Sequence, residues 1–133
     1  MTDQTPVFVL DEAIGIASLQ EIIREHGAQC KLLTDHFERG TPDRNWLPFV
    51  GKNNWILLTK DKRIQKNSIE YQALINAKVG AFFLVSGSIS REEILQCVIK
   101  AMPKMIALAQ SQSKPFLAKV YKDGSVKLWF KPG

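Results

Sequence analysis

Residues 55–64 read WILLTKDKRI, and the interpretation of the whole chain turns on this stretch. Residues 55–58 form a continuous apolar run with the length and composition of a buried strand. The run ends abruptly in Thr59, Lys60, Asp61, Lys62 and Arg63, a carboxylate set among cations. Buried strands usually end in neutral turn residues, so the question is what Asp61 is for.

On its N-terminal side, PVFVL (6–10) is a short apolar strand, and DEAIGIASLQEIIREHG (11–27) reads as a helix. Ile14, Ala17, Ile22 and Ile23 supply its apolar stripe, and Gly27 supplies a stop. AQCKLLT (28–34) is a second strand, followed by the polar, turn-rich segment 35–46. Within that segment Thr41, Pro42 and Asp43 signal a helix start, with Asp43 complementing the positive end of the helix dipole. The helix spans 43–52 and carries Trp46, Leu47, Phe49 and Val50, with Pro48 placed in its first turn. NNWILLT (53–59) is the third strand. Residues 62–77 read as helix in two pieces, with Ser68 capping the second. VGAFFLVSG (79–87) is a fourth strand, and 88–112 a long helix opened by a Ser90/Glu93 capping box and kinked at Pro103. The tail 115–130 alternates around Asp123 and Gly124 as a hairpin does. Alternating strands and helices predict an α/β fold with a parallel sheet and right-handed crossovers, the tail adding antiparallel strands.

At 133 residues the chain is long enough for one domain over 1–133 with its own core. Hydrophobic content of 45% and charged content of 23% match a soluble globular protein. No apolar stretch approaches the roughly 18 residues of a spanning helix. The first residues, MTDQTPVFVLDE, lack the basic start of a signal peptide, so a cytoplasmic location is expected. Cys30 and Cys97 stand apart with no metal spacing, as reduced structural thiols do. The net charge of +5 raises the local concentration of polyanions, nucleic acid above all.

In an open parallel sheet, ligands bind beyond the carboxyl ends of the strands near a topological switch point. Asp11 follows the first strand, Asp35 the second and Asp61 the third, while Asp43 opens a helix. If the first and third strands are adjacent, at about 4.8 Å, Asp11 and Asp61 would share one metal-sized space. Clustered carboxylates repel one another and need a compensating cation. All-oxygen ligation suits Mg²⁺ or Mn²⁺, and such a site performs metal-assisted phosphodiester hydrolysis. Taken singly, each of these acids has a second reading as a helix or turn cap. Capping alone does not explain acids at the ends of both the first and third strands.

The segments FVLDE (8–12), TPDRNW (41–46) and LLTKDKRI (57–64), with Glu70 following, resemble the PIN-like nuclease superfamily. Within it they are most similar to the small PIN-like toxins of bacterial toxin–antitoxin pairs, over roughly residues 7–120. The resemblance implies a PIN-like α/β/α sandwich with a central, mostly parallel sheet and a C-terminal antiparallel hairpin. It implies a divalent-metal endoribonuclease using Mg²⁺ or Mn²⁺, with Asp11, Asp43 and Asp61 as catalytic acids and metal ligands. Thr59 would orient Asp61, and Glu12 would support the site from behind. Glu70 is a candidate fourth acid, with a helix salt bridge as its other reading. Lys60, Lys62, Arg63 and Lys66 would line the entry for an RNA backbone, each also readable as part of a solvated helix face. The implied partners are RNA and a cognate antitoxin protein that blocks the acidic cleft, with no membrane involved. The hairpin edge at 115–130 is open to strand addition or homodimerisation, or merely closes the sheet.

Other motifs do not add up to a site. His26 reads as a helix C-terminal residue, and His36, beside Asp35, has a substrate-binding reading. Neither cysteine has a neighbouring base, and no glycine-rich phosphate loop is present. Trp46, Trp55, Phe82 and Phe83 read as core. Two rival classes remain. A phosphoacceptor receiver domain shares Asp11, Glu12, Asp61 and a Lys114-Pro115 pair, but that pair follows a polar helix end where a receiver has an apolar strand. The nearer rival is a catalytically inactive PIN-like module that binds RNA or protein. The presence of Asp11, Asp43 and Asp61 together favours the enzyme.

Overall fold

The computed structural model describes residues 5–14, 16–60, 68–85 and 90–131. In chain order they form β1 (Val7–Leu10), α1 (Ala17–Glu25), β2 (Gln29–Leu32), a 3-10 turn (Leu33–Asp35), α2 (Asp43–Lys52) and β3 (Ile56–Lys60). There follow α3 (Ile69–Asn76), β4 (Gly80–Val85), α4 (Arg91–Ser111), β5 (Phe116–Tyr121) and β6 (Val126–Phe130). The strands join one sheet in the order β2-β1-β3-β4-β5-β6. All neighbouring pairs are parallel except β5 with β6. The expected α/β architecture is therefore present, with one difference. The first strand of the tail pairs parallel to β4, and only β6 runs against the rest.

Each sheet face carries its own apolar layer because alternate residues of a strand point to opposite sides. Phe8, Leu10, Ile56, Leu58, Phe82 and Phe116 face α1 and α4, whose Leu19, Ile23, Val98, Met102 and Met105 cover them. Val9, Leu57, Ala81, Phe83 and Leu117 face the other way, onto Trp46, Leu47 and Val50 of α2 and Tyr71 and Leu74 of α3. Leu57, Leu58, Phe82 and Phe83 are buried on both sides of the sheet, which is why their segments read as unbroken apolar runs.

Several boundaries differ from the sequence reading for local reasons. The first helix starts at Ala17, not at Asp11, because the Asp11 carboxylate takes the N–H groups of Ala13 and Ile14 into a turn. Pro48 lies in the second turn of α2, beyond the first turn where it was expected, and withholds an N–H from the carbonyl of Arg44. α4 continues as one helix through Pro103. Ser68 caps α3, accepting from the N–H of Tyr71 at 3.1 Å, and Ser90 and Glu93 form the full capping box of α4. Glu93 also pairs with Lys122 at 3.0 Å, tying α4 to the β5–β6 hairpin. The hydrogen bond to the Ser90 N–H, then Lys122, hold its carboxyl below the usual glutamate value.

The layers approach closely where glycine permits it. A Cβ on Gly51 of α2 would collide with the carbonyl oxygen of Ala77 at the end of α3. The two helices that cover the second face therefore sit together only because position 51 has no side chain. Cys30 and Cys97 are free and buried, and burial pushes the Cys30 thiol up to about 12. At that value the thiol is inert at neutral pH. No described helix is long and apolar enough to cross a membrane.

Candidate active site

The strand order reverses direction at β1: β2 lies to one side of it and β3 to the other. Ligands bind beyond the carboxyl ends of the strands at such a switch point. Leu10 of β1 is level with Leu58 of β3, so Asp11 and Thr59 are next in line on neighbouring strands. The register brings them into contact. The Thr59 hydroxyl donates to Oδ2 of Asp11. Oδ1 of Asp11 accepts from the N–H groups of Ala13 and Ile14, at 3.1 and 3.3 Å. Asp11 and Thr59 are each only 5% exposed. A buried carboxylate is tolerable when hydrogen bonds replace its lost water, and here three donors do so.

Asp43 is the first residue of α2 and Glu70 the second residue of α3. Each crossover helix runs back against the strands, so both helix starts lie above the strand ends. Asp43 and Glu70 thereby meet Asp11 around one pocket of about 380 Å³, open solvent at its mouth included. Thr59 and Lys60 complete its polar wall, and Trp46, Leu47, Leu57, Leu74 and Phe83 form its apolar floor. Buried Asp11 is thus at the base and exposed Asp43 and Glu70 at the rim.

The other expected residues divide clearly. Glu12 is exposed and accepts from the Gly40 N–H at 2.9 Å, pinning the loop that leads into α2. Asp61, Lys62, Arg63 and Lys66 lie outside the described residues, as does any contact between Thr59 and Asp61. The described partner of Thr59 across the strands is Asp11. His36 is not part of the pocket lining; its ring stands 5.2 Å from that of Trp55 and 5.7 Å from that of Phe49. His26 ends α1 as expected, with Nδ1 at 2.9 Å from the Ile22 carbonyl. The apolar floor was legible only as core. Nothing in Leu57 or Phe83 distinguishes a strand residue beneath a pocket from one beneath a helix.

Among the described residues, no three His, Cys, Asp or Glu side chains converge closely enough to hold a metal ion. The donor chemistry is nevertheless uniform. The described pocket lining offers carboxylates, a hydroxyl and an amine, with neither Cys nor His. Oxygen donors of this kind fit Mg²⁺ or Mn²⁺ and do not fit a zinc centre.

The model of a family described as "PIN like domain" matches residues 6–86, more than half of the chain, from β1 through β4. The matched span contains Asp11, Asp43, Thr59, Lys60 and Glu70. A Mycobacterium tuberculosis protein named "Putative ribonuclease VapC45" is 21% identical over 132 residues, 96% of this chain and 94% of its own length. No solved structure matches the chain. The strand order, the acidic pocket at the switch point and the family match agree: the chain belongs to the PIN-like domain family.

Proposed function

We propose that this protein is a divalent-metal-dependent endoribonuclease and the toxin component of a toxin–antitoxin pair. The observation that carries this reading is the convergence of Asp11 and Asp43, from β1 and α2, on one pocket at the switch point. The membership in the PIN-like family and the ribonuclease name of the relative support the class of reaction.

In this reading Asp11, Asp43 and Asp61 hold a Mg²⁺ or Mn²⁺ ion, with Glu70 at the rim. When bound, that ion supplies an activated water and offsets charge on the scissile phosphate. Asp11 is fixed in position by the Ala13 and Ile14 N–H groups and by the Thr59 hydroxyl, so its lone pairs are oriented before any ligand arrives. Thr59 acts through Asp11 and is a positioning residue. Lys60, beside them in the pocket wall, offers a cation to the phosphate backbone, joined by Lys62, Arg63 and Lys66. The chain acts as one folded unit in the cytoplasm, and its protein partner is a small antitoxin that covers the acidic pocket.

Cleavage of a mixed RNA substrate by the purified protein tests this directly, with Mn²⁺, with EDTA, and in the Asp11→Asn variant. Cleavage should require metal and fall by a factor of a hundred or more in the variant. Asn keeps the shape and hydrogen-bonding reach of Asp11 while removing its charge. RNA binding without metal-dependent cleavage would overturn the enzyme reading and leave a binding module.

A further inference from the structure

The sheet register carries the pocket's level sideways across the molecule. Thr59 is level with Phe83 on β4, Phe83 with Lys119 on β5, and Lys119 with Lys127 on β6. Alternation puts this row on the face that carries Leu57, Phe83 and Leu117, the face of the pocket floor. At about 4.8 Å per strand, Lys119 lies about 10 Å and Lys127 about 14 Å from Thr59 along that row.

Two like charges directly opposite on neighbouring strands destabilise a sheet. The ion pair of this hairpin is Lys122 with Glu93, and among the described residues neither Lys119 nor Lys127 has a carboxylate partner. Each lysine instead lies over an aromatic ring. The Lys119 ammonium is 4.6 Å from the centre of Trp129, and that of Lys127 is 5.9 Å from the centre of Tyr121. Lys127 is exposed and Lys119, Tyr121 and Trp129 are half-buried. The rings hold the two cations on the face without neutralising them, since attraction to a ring leaves the full charge available. A polyanion laid across the sheet removes the repulsion that the fold leaves uncompensated.

We infer that Lys119 and Lys127, seated on Trp129 and Tyr121, form a second phosphate-binding station for RNA, in register with the pocket across the sheet. The inference rests on RNA being the substrate of that pocket. A strand whose scissile phosphate lies at Asp11 would reach the station a few nucleotides away. Bases adjoining those phosphates would have the edges of Trp129 and Tyr121 beside them.

The test is a salt titration of RNA binding, using a single-stranded oligonucleotide of about twelve nucleotides and the Asp11→Asn protein, so that no cleavage intervenes. Each lost contact to a single-stranded phosphate lowers the slope of log K against log salt by about 0.7. Lys119→Gln with Lys127→Gln should therefore lower the slope by about 1.4, and binding at 0.1 M salt should weaken roughly 25-fold relative to binding near 1 M. Lys127→Gln alone, at an exposed position, should lower it by half as much and guards against a folding defect in the pair. Lys119→Arg with Lys127→Arg should restore the slope. Lys122→Gln, on the same hairpin but paired with Glu93, should leave it unchanged. An unchanged slope in the Gln pair, or an equal fall with Lys122→Gln, overturns the inference. So does binding of an acidic protein, but not RNA, that is lost with the pair. Metal-dependent cleavage by the unaltered chain is scored separately. A chain that cuts with an unchanged slope keeps its nuclease reading and loses the station. A chain that cuts nothing, yet loses slope with the pair, loses the nuclease reading and keeps the station.

Discussion

At the scale of single residues, Asp11 serves two purposes at once. Its Oδ1 closes the turn after β1, while its Oδ2 faces Thr59 at the base of the pocket. The sequence presents Asp11 either as a cap or as a ligand; in the structure the cap is present, and on the proposed reading the bonds that make it also orient the carboxylate toward the pocket. The position of the acid was legible because Asp-Glu follows an apolar strand directly. Its partner was not, because Thr59 is far away along the chain and becomes a neighbour only through the β1–β3 register. Thr59→Val removes one donor from Oδ2 while keeping the shape of the side chain. Leaving a buried acceptor short of a donor costs about 1–3 kcal/mol. The unfolding midpoint in urea should fall by that equivalent with an unchanged m value, and metal-dependent cleavage should fall with it. Thr59→Ser, which keeps the hydroxyl, should retain most of both. Wild-type stability and cleavage in Thr59→Val would show that the bond does not position the carboxylate.

At the scale of elements, the strands were the most legible part, because residues 55–58 and 79–84 are buried on both faces and read as apolar throughout. Helix starts were legible where polar caps announce them, as at Ser68 and Ser90, and misplaced at α1, where the cap belongs to a turn. The pairing of β5 with β4 was not legible. Alternation specifies which residues face the core and says nothing about the direction of the neighbouring strand. Gly51 shows the same limit. In sequence it is a weak point in a helix, where Ala is more favourable by about 1 kcal/mol. In the structure a methyl group there meets the Ala77 carbonyl, a backbone atom that has no rotamer to escape into. Gly51→Ala should therefore destabilise, by about 1–3 kcal/mol as overpacking does. It should also lower cleavage, because parting α2 from α3 moves Asp43 relative to Glu70. Chemical denaturation decides the sign: a gain in stability would mean that the helices have room to separate at no cost.

At the scale of the whole molecule, a chain of net charge +5 gathers carboxylates at one point of its sheet and lysines along the same level. The sheet order is what creates this division. Adjacency of β1 and β3 places Asp11 at the switch point, and the sequence could indicate it only through the acids at the strand ends. The lysine row stayed hidden, because Lys119 and Lys127 are ordinary alternating strand residues until the register sets them opposite each other. On the proposed reading, a divalent cation held by these carboxylates offsets their mutual repulsion and binds the folded state alone. Ligand that binds only the folded state adds stability of RT ln(1 + [L]/Kd), about 2.7 kcal/mol at a hundredfold excess over Kd. Thermal unfolding in Mn²⁺ should therefore occur several degrees above that in EDTA. The gain should shrink in Asp11→Asn and in Asp43→Asn, and should persist in Lys119→Gln with Lys127→Gln, whose charges lie across the sheet. An equal gain in all four proteins would assign the cation to another part of the surface. No gain in the unaltered chain would mean that the carboxylates are balanced by the protein's own cations, with Lys60 in the pocket wall the first to substitute.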